Sequence, residues 1–330
     1  MRGGCPEEAV APVRCGVLGC SDIARRKFIP ALRGSRRAEL VAVGSRDPVQ
    51  AAGFVPGAAY AALGYEELVS HPGLELVYIS VPNHLHEEWT LRALDHGKHV
   101  ICEKPLALSA AAVERMVAAA EDRGLLLYEN LMFLHHPQHD IVAELLASGM
   151  VGRPALVRSV FSIPLPAAGG YRLNPACGGG AFHDLARYPL GTALRFLAGE
   201  VTIFQGVALE QAGLNLGVHG VACTTAGEVF SYSIAFGQQY ESYYEIIGER
   251  GKIRLDRAYT TPADFANRVL VRCGVEDAAV SVPPCDQFGL MLDHVCGLIR
   301  RGADFRGVHN RTRQLARLAD AMEKGCRHDS

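Results

Sequence analysis

Short apolar runs alternate with helical patterns over the first 130 residues of the chain. Strands that alternate with helices at this spacing form a parallel sheet, because each helix returns the chain to the same edge of the sheet. The sequence therefore predicts a doubly wound α/β Rossmann domain over residues 14–129. Its predicted strands lie at residues 14–18, 39–44, 76–81, 100–102 and 125–128.

The pattern changes after residue 130. Several runs rich in β-branched and aromatic residues follow one another without helices between them, which is typical of an antiparallel sheet. We therefore expect an α+β domain over residues 130–330, with a large, mainly antiparallel open sheet that binds substrate and forms a homo-oligomer, a dimer or tetramer. Residues 1–13 are expected to be a loosely held tail. The predicted strands of the second domain lie at residues 155–163, 218–225, 228–236, 240–248 and 252–255.

The charge balance favours a small-molecule partner. Lys and Arg number 33 against 35 Asp and Glu, so no basic excess indicates nucleic acid. No apolar run approaches the length of a membrane helix, and the amino terminus lacks a signal-peptide core, which predicts a cytoplasmic protein. The ten cysteines form no Cys-x-x-Cys pair, so no zinc or redox motif is evident.

A small-residue turn, Gly19-Cys20-Ser21-Asp22-Ile23, joins the first strand to a helical pattern. Backbone N–H groups and the positive end of a helix can hold a pyrophosphate at such a turn. The turn departs from Gly-x-Gly-x-x-Gly/Ala at Ser21, whose hydroxyl could donate to the phosphate instead. All five residues are predicted to bind the cofactor.

Ser45 and Arg46 follow the second strand. An acidic residue near this point binds ribose hydroxyls in dinucleotide folds, whereas an arginine accommodates a 2′-phosphate. The pair therefore favours NADP(H) over NAD(H). Alternatively, Arg46 is a solvated turn residue, and Asp47-Pro48 caps the next helix.

Two further strands end in polar residues. The third strand runs into Val81-Pro82-Asn83 with His86 close behind, and another apolar run ends at Glu103-Lys104-Pro105. Ligands of an open parallel sheet bind beyond the carboxyl ends of its strands. Val81, Pro82, Asn83, His86, Glu103 and Lys104 are therefore predicted to line the cofactor site. For Glu103 and Lys104 the alternative is a solvated ion pair on a loop.

Asp184 and Tyr188 lie four residues apart in a predicted helix over about 182–197, so both project from one face. A tyrosine holds a proton at neutral pH and can act as a general acid toward a carbonyl oxygen. A nearby ammonium such as Lys104 would lower the tyrosine pKa toward the working range. The alternative is a half-buried structural tyrosine. His183 lies on another face of the same helix.

Histidines cluster at residues 135–139, but no acidic ligand follows them at a familiar spacing. We expect no bound metal. A role in contacting substrate is predicted for His136 and Gln138 instead.

These motifs occur in the order seen in the Gfo/Idh/MocA oxidoreductases, which the chain resembles over nearly its whole length. The resemblance rests on residues 16–24, 82–86, 103–105 and 178–188. It implies that Lys104 reaches the substrate oxygen beside the nicotinamide. We further expect Glu103 to fix the lysine, Asp184 to orient the sugar or the tyrosine, and His183 to contact the substrate. Tyr188 stands where many members carry histidine.

Residues 134–139 and 256–262 together resemble the NDP-hexose 3-ketoreductases of deoxysugar biosynthesis. An arginine and an aromatic residue, Arg257 and Tyr259, could hold a diphosphate and stack on a base, although an ordinary turn is the alternative.

The predicted function is therefore reduction of the C3 ketone of a dTDP-linked deoxyhexose by NADPH, with Lys104 and Tyr188 as catalytic residues. Alternatives are an NADP-dependent dehydrogenase of a free sugar, cyclitol or dihydrodiol, and a non-catalytic NADP-binding sensor. A metal-dependent hydrolase is the least favoured.

Overall fold

The computed structural model describes residues 11–329. Its first sheet has six parallel strands in the order β3-β2-β1-β4-β5-β6, the arrangement of a Rossmann domain. The strand β3 has only three residues and was not predicted, and β6 begins two residues later than expected. The strands are β1 Val13–Leu18, β2 Ala38–Gly44, β3 Ala61–Leu63, β4 Leu76–Ile79, β5 His99–Glu103 and β6 Leu127–Asn130.

Helices connect these strands, and local sequence signals fix where two of them begin. The Asp47 carboxylate accepts a hydrogen bond from the Val49 N–H with Pro48 in the first turn, and the Ser109 hydroxyl accepts one from the Ala112 N–H. The first helical turn after β1 is a π-helix over Ala24–Phe28. The α-helices are α1 Ile29–Gly34, α2 Pro48–Ala52, α3 Tyr65–Ser70, α4 His86–Asp95 and α5 Ala110–Asp122.

The second sheet has nine strands in the order β14-β13-β12-β11-β7-β10-β9-β8-β15. Two pairs, β7 with β10 and β8 with β15, are parallel, and the other pairs are antiparallel. The predicted fold class is confirmed: a Rossmann domain and a mainly antiparallel sheet. The strands are β7 Pro154–Ile163, β8 Val201–Gln211, β9 Leu214–Thr224, β10 Val229–Phe236, β11 Glu241–Gly248, β12 Gly251–Asp256, β13 Asn267–Cys273, β14 Glu276–Val282 and β15 Cys326–Asp329.

The helix predicted over residues 182–197 consists of two segments that meet at Ala186. Pro189 lacks an N–H and cannot donate to the carbonyl one turn earlier, which accounts for the break. The helices that follow β6 are α6 Gln138–Ala147, α7 Ala181–Leu185, α8 Arg187–Phe196, α9 Gln287–Arg300 and α10 Arg306–Lys324.

The last two helices return to the first domain. Arg313 of α10 forms ion pairs with Glu114 and Glu121 of α5, and Arg300 of α9 pairs with Glu75 just before β4. Residues 14–129 and 130–330 therefore share an extensive contact that the sequence did not predict. The predicted tail lies outside the described residues up to residue 10, and β1 begins at Val13. None of the helices among residues 11–329 has the length and apolar character needed to cross a membrane.

Candidate active site

Lys104 lies just beyond the carboxyl end of β5 and is joined to Pro105 by a cis peptide bond. Its Nζ donates to the Asp184 Oδ1 and to the Asp184 carbonyl oxygen, each at 2.6 Å. The side chains are only 12% and 10% exposed. The solvated ion pair of Glu103 with Lys104 on a loop is therefore not what the structure shows: Lys104 pairs with Asp184, and this buried contact connects the Rossmann domain to α7.

Asp184 has a second cationic partner. The Arg172 Nε donates to Asp184 Oδ2 at 2.8 Å, so each carboxylate oxygen meets a different cation. Burial raises the pKa of Asp184, but Lys104 and Arg172 outweigh it and lower the pKa. Burial lowers the pKa of Lys104, but Asp184 outweighs it and raises the pKa above the usual value. Both groups are therefore charged at neutral pH.

Arg172 was missed by sequence reasoning. It lies in a 3-10 helix over Tyr171–Leu173, within the irregular segment between β7 and α7. An arginine in such a segment carries no periodic signal, and only the path of the chain brings it to Asp184.

Tyr188 lies beside the ion pair. The Lys104 Nζ is 5.4 Å from the centre of its ring, which packs against Phe161, Phe133 and Tyr259. Within residues 11–329 no group forms a hydrogen bond with the Tyr188 hydroxyl, which leaves its proton available to a ligand. The structure thus brings together Lys104, Asp184 and Tyr188.

The predicted effect of Lys104 on this tyrosine needs correction. Burial raises the pKa of Tyr188, and although Lys104 opposes the rise, the pKa reaches about 12. The hydroxyl is therefore a stable proton carrier at neutral pH, and its pKa is not lowered toward the working range.

Glu103 does not fix Lys104, which corrects a second expectation. Its Oε1 accepts hydrogen bonds from the Tyr78 hydroxyl at 2.5 Å and the Asn130 Nδ2 at 2.6 Å. Burial raises the pKa of Glu103, and these two donors partly oppose the rise. Glu103 therefore anchors the end of β5 to β4 and β6.

The turn after β1 fits a dinucleotide phosphate. Gly19 has φ +103°, and a Cβ there would lie 2.8 Å from the Ser80 carbonyl oxygen, so only glycine suits the turn. The N–H groups of residues 20–23 donate to no described group, and they precede the helical turn. The Ser21 hydroxyl accepts from the Ala24 N–H and keeps its own proton to donate. Contact of Cys20, Asp22 and Ile23 with the cofactor stays a prediction.

Ser45 and Arg46 lie where β2 ends, in the position predicted for recognition of a 2′-phosphate. The Ser45 hydroxyl is buried, donates to Gln50 and accepts from the Asp47 N–H. Arg46 is exposed beside Tyr65, whose pKa is raised by burial and lowered in part by the arginine. Arg46 is thus the cation available to a phosphate here.

Residues at the end of β4 have mixed roles. Val81 and Pro82 lie in the loop that follows β4. The Asn83 Nδ2 donates a hydrogen bond to the Gly178 carbonyl oxygen across the domain boundary at 2.8 Å. The His86 ring is fully buried, with its nitrogens 2.8 Å and 2.9 Å from the Pro105 and Val81 carbonyl oxygens. The prediction that His86 contacts the cofactor is therefore corrected. Its side chain instead connects the loop after β4 to the loop after β5.

The predicted substrate contacts of His136 and Gln138 are also corrected, because both side chains are fully buried. The Gln138 amide donates to the Ala258 carbonyl and accepts from the Asn267 amide. His136 Nδ1 accepts from the Gln138 N–H. Both residues support the segment after β12.

Arg257 and Tyr259 have different environments in that segment. Arg257 is exposed, with φ +52° and its guanidinium 5.0 Å from the Tyr240 ring centre. Tyr240 in turn contacts Phe161, which packs on Tyr188, so Arg257 lies near the candidate site.

Tyr259 is fully buried, and its hydroxyl contacts Ser159 and Thr192. It has no free ring face on which a base could stack, which corrects that part of the prediction.

His183 is half-buried, and its ring contacts Phe182. Burial and, to a lesser extent, Arg187 lower its pKa to about 4, so the ring is neutral at pH 7. In the part of the chain that the structure describes, no group of three or more His, Cys, Asp or Glu side chains could hold a metal ion.

A phosphate cradle at a Rossmann turn, next to a buried lysine and a tyrosine with a free hydroxyl, defines a dinucleotide-dependent oxidoreductase. Comparison with known sequences gives the family. Residues 13–131 match the oxidoreductase family with an NAD-binding Rossmann fold, and residues 139–254 match the Gfo/Idh/MocA C-terminal domain. The chain belongs to the Gfo/Idh/MocA oxidoreductase family, as the sequence motifs indicated.

Two relatives carry the same name, dTDP-3,4-didehydro-2,6-dideoxy-α-D-glucose 3-reductase. The one from Saccharopolyspora spinosa is 39% identical over 84% of each chain. The one from Actinomadura kijaniata is 34% identical over 96% of each chain.

A solved structure is similar throughout. KijD10, a 3-ketoreductase from Actinomadura kijaniata in complex with NADP and TDP-benzene, superposes with a TM-score of 0.92 at 33% identity. The match covers 96% of this chain and 98% of that one.

Proposed function

We propose that this protein is an NADPH-dependent ketoreductase that reduces the C3 keto group of a dTDP-linked deoxyhexose in deoxysugar biosynthesis. The observation that carries the proposal is the arrangement of Lys104 and Tyr188, with the ammonium 5.4 Å from the ring and the tyrosine hydroxyl free. The relatives with this activity match the chain over most of its length. The enzyme uses NADP(H), as its structural neighbour does.

Reduction of a ketone needs a hydride at carbon and a proton at oxygen. A bound reduced nicotinamide supplies the hydride. Tyr188 donates its proton to the carbonyl oxygen as negative charge develops there. The Lys104 ammonium stabilises that charge and the tyrosinate left behind. Asp184, held by Arg172, fixes the position of the ammonium.

The two domains have different roles in the proposed reaction. We assign cofactor binding to residues 14–129, with the 19–23 turn holding the pyrophosphate and residues 81–83 near the nicotinamide. Residues 130–330 bind substrate and carry the surface through which copies assemble. The homo-oligomer and the cytoplasmic location stay predictions.

Cofactor preference tests the assignment of Arg46. We expect kcat/KM with NADPH to exceed that with NADH, and Arg46→Gln to lower kcat/KM for NADPH by roughly tenfold to hundredfold, the value of a charge-assisted hydrogen bond. The value for NADH should stay unchanged, because NADH lacks the 2′-phosphate. A natural preference for NADH would contradict the assignment.

Arg257 is the residue that we assign to the diphosphate of the substrate. Arg257→Gln should raise the KM for the dTDP-linked ketone by roughly tenfold to hundredfold and leave kcat nearly unchanged, because Arg257 does not contact Tyr188. The matched control is Arg268→Gln, an equal charge change at an exposed position of β13. Equal KM values for the two variants would remove Arg257 from the substrate site.

Substrate comparison tests the function itself. We expect turnover of dTDP-3,4-didehydro-2,6-dideoxy-α-D-glucose with NADPH, and little oxidation of free xylose, glucose or a dihydrodiol with NADP⁺. Preferential turnover of a free sugar would favour the dehydrogenase alternative. Tight NADPH binding without turnover of any substrate would favour a sensor.

A further inference from the structure

A cavity of about 460 Å³ lies among β6, α6, α8, α9, α10 and the 3-10 helix Met132–His135, and neither Lys104 nor Tyr188 lines it. We call it the arginine cavity, after Arg195 of α8 and Arg311 of α10, which both line it. Its volume is in the range of sites that bind small organic molecules. Its polar wall includes Tyr128, Glu129, His135, Arg195, His294 and Arg311.

The positive charges at this cavity exceed the negative charges that are free to balance them. Arg195 pairs with the exposed carboxylate of Asp140, but its Nε is buried without a hydrogen-bond partner. No acidic side chain among residues 11–329 forms an ion pair with Arg311. A second cavity of about 420 Å³ also borders both arginines; Arg311 is exposed, and the side chain of Arg195 is 20% exposed.

The environment favours an anion. Partial desolvation of its guanidinium lowers the pKa of Arg311; Tyr128 opposes this shift, and the nearby charge of Arg195 adds to it. An oxyanion between the two guanidinium groups would offset their repulsion and supply the missing acceptors. Burial lowers the pKa of His135 to about 4, so its ring is neutral and adds polar and aromatic surface.

Glu129 forms a wall of the arginine cavity and also contacts the catalytic segments. Its Oε1 accepts hydrogen bonds from the Leu106 N–H at 3.0 Å and the Arg187 Nε at 3.0 Å. Leu106 lies two residues after Lys104, and Arg187 directly precedes Tyr188. The other carboxylate oxygen, Oε2, is buried without a hydrogen-bond partner, and Glu129 forms its ion pair with Arg187 and with neither cavity arginine.

We propose that the arginine cavity is a second ligand site that binds a small phosphate monoester, with the phosphate between Arg195 and Arg311 and the organic part against Tyr128, His135 and His294. The volume exceeds what inorganic phosphate alone fills, which favours an ester over the free anion. The site is separate from the turn at residues 19–23 and from Arg257.

Calorimetric titration of the NADP-saturated enzyme, with dTDP present, tests the site with ribose 5-phosphate, inorganic phosphate and ribose. We expect saturable one-to-one binding of ribose 5-phosphate, weaker binding of phosphate and none of ribose. Arg311→Gln should weaken the ester at least about tenfold, while Arg317→Gln, the same charge change on α10 outside the cavity, should not. Arg195→Gln is a second variant with the same expected loss.

If inorganic phosphate binds as tightly as ribose 5-phosphate, the ligand is the free anion; the phosphate site between the two arginines is then supported, and the preference for an ester is wrong. Absence of saturable binding by both phosphate probes, or equal affinity in the Arg311 and Arg317 variants, would overturn the proposal. The comparison of the Arg311 and Arg317 variants shows whether the phosphate binds in the arginine cavity, and it does not require turnover. The binding result therefore stands even if the proposed reaction is not observed.

Discussion

Replacement of Tyr188 by phenylalanine should lower kcat for the dTDP-linked ketone by about 10²- to 10⁴-fold, the contribution of a positioned general acid. The hydroxyl is the group lost, and no described residue hydrogen-bonds to it, so neither folding nor NADPH affinity should change appreciably. Steady-state kcat, the NADPH dissociation constant and thermal unfolding measure the three effects. Turnover near that of the unchanged enzyme would remove Tyr188 from the mechanism.

Tyr259→Phe is the matched control. Its hydroxyl is buried and contacts Ser159 and Thr192, so its loss should cost about 1–3 kcal/mol of unfolding free energy with a much smaller effect on kcat. The two phenylalanine variants should therefore separate the role of the proton from that of packing.

The pH dependence follows from the direction of the tyrosine shift. A proton donor acts below its pKa, and burial raises the pKa of Tyr188 to about 12. Loss of activity through ionisation of Tyr188 should therefore begin only at about pH 11, whereas an unperturbed tyrosine, with a pKa of about 10, would begin to lose its proton at about pH 9. A basic limb of kcat centred near pH 8 would show that another group supplies the proton.

Lys104→Met should lower kcat by about 10²- to 10³-fold, the loss expected when one group that stabilises an oxyanion is removed. Methionine keeps the length and apolar stem but removes the ammonium that donates to Asp184. Removing one partner of a buried ion pair costs roughly 3–5 kcal/mol. Because Arg172 still pairs with Asp184, we expect the loss of unfolding free energy to lie toward the low end of this range and the variant to fold.

Lys98→Met is the control for the lysine. Lys98 lies just before β5, where its Nζ donates to the His71 and Leu74 carbonyl oxygens. Its removal should lower stability and leave kcat nearly unchanged. Equal kcat values for the two methionine variants would mean that Lys104 holds the structure without acting in the chemistry.

The sequence predicted those parts of the fold and site that have a local signal. Apolar runs alternating with helices gave the parallel sheet, and the spacing of four between Asp184 and Tyr188 placed both beside Lys104 despite the break at Ala186. The strand Ala61–Leu63 is too short for a periodic pattern to identify.

Hydrogen bonds and ion pairs between residues far apart in the sequence could not be predicted from local patterns. Glu103 and Lys104 are adjacent charges, yet each takes partners from elsewhere: Tyr78 and Asn130 for Glu103, and Asp184 for Lys104. Gln138 is polar and lies in a motif, but it is buried, and its amide bonds to groups more than a hundred residues away. A polar residue type alone does not distinguish a ligand contact from a satisfied core residue.

Transfer of deuterium from NADPH labelled at the reactive nicotinamide position tests the central claim most directly. The enzyme is mixed with labelled NADPH and dTDP-3,4-didehydro-2,6-dideoxy-α-D-glucose, and the sugar product is examined by NMR. The account predicts one deuterium at C3 of the dTDP-linked sugar and its absence with the Tyr188→Phe variant at equal reaction time. Deuterium at another carbon, or NADPH left unconsumed with no labelled sugar formed by the unchanged enzyme, would contradict it.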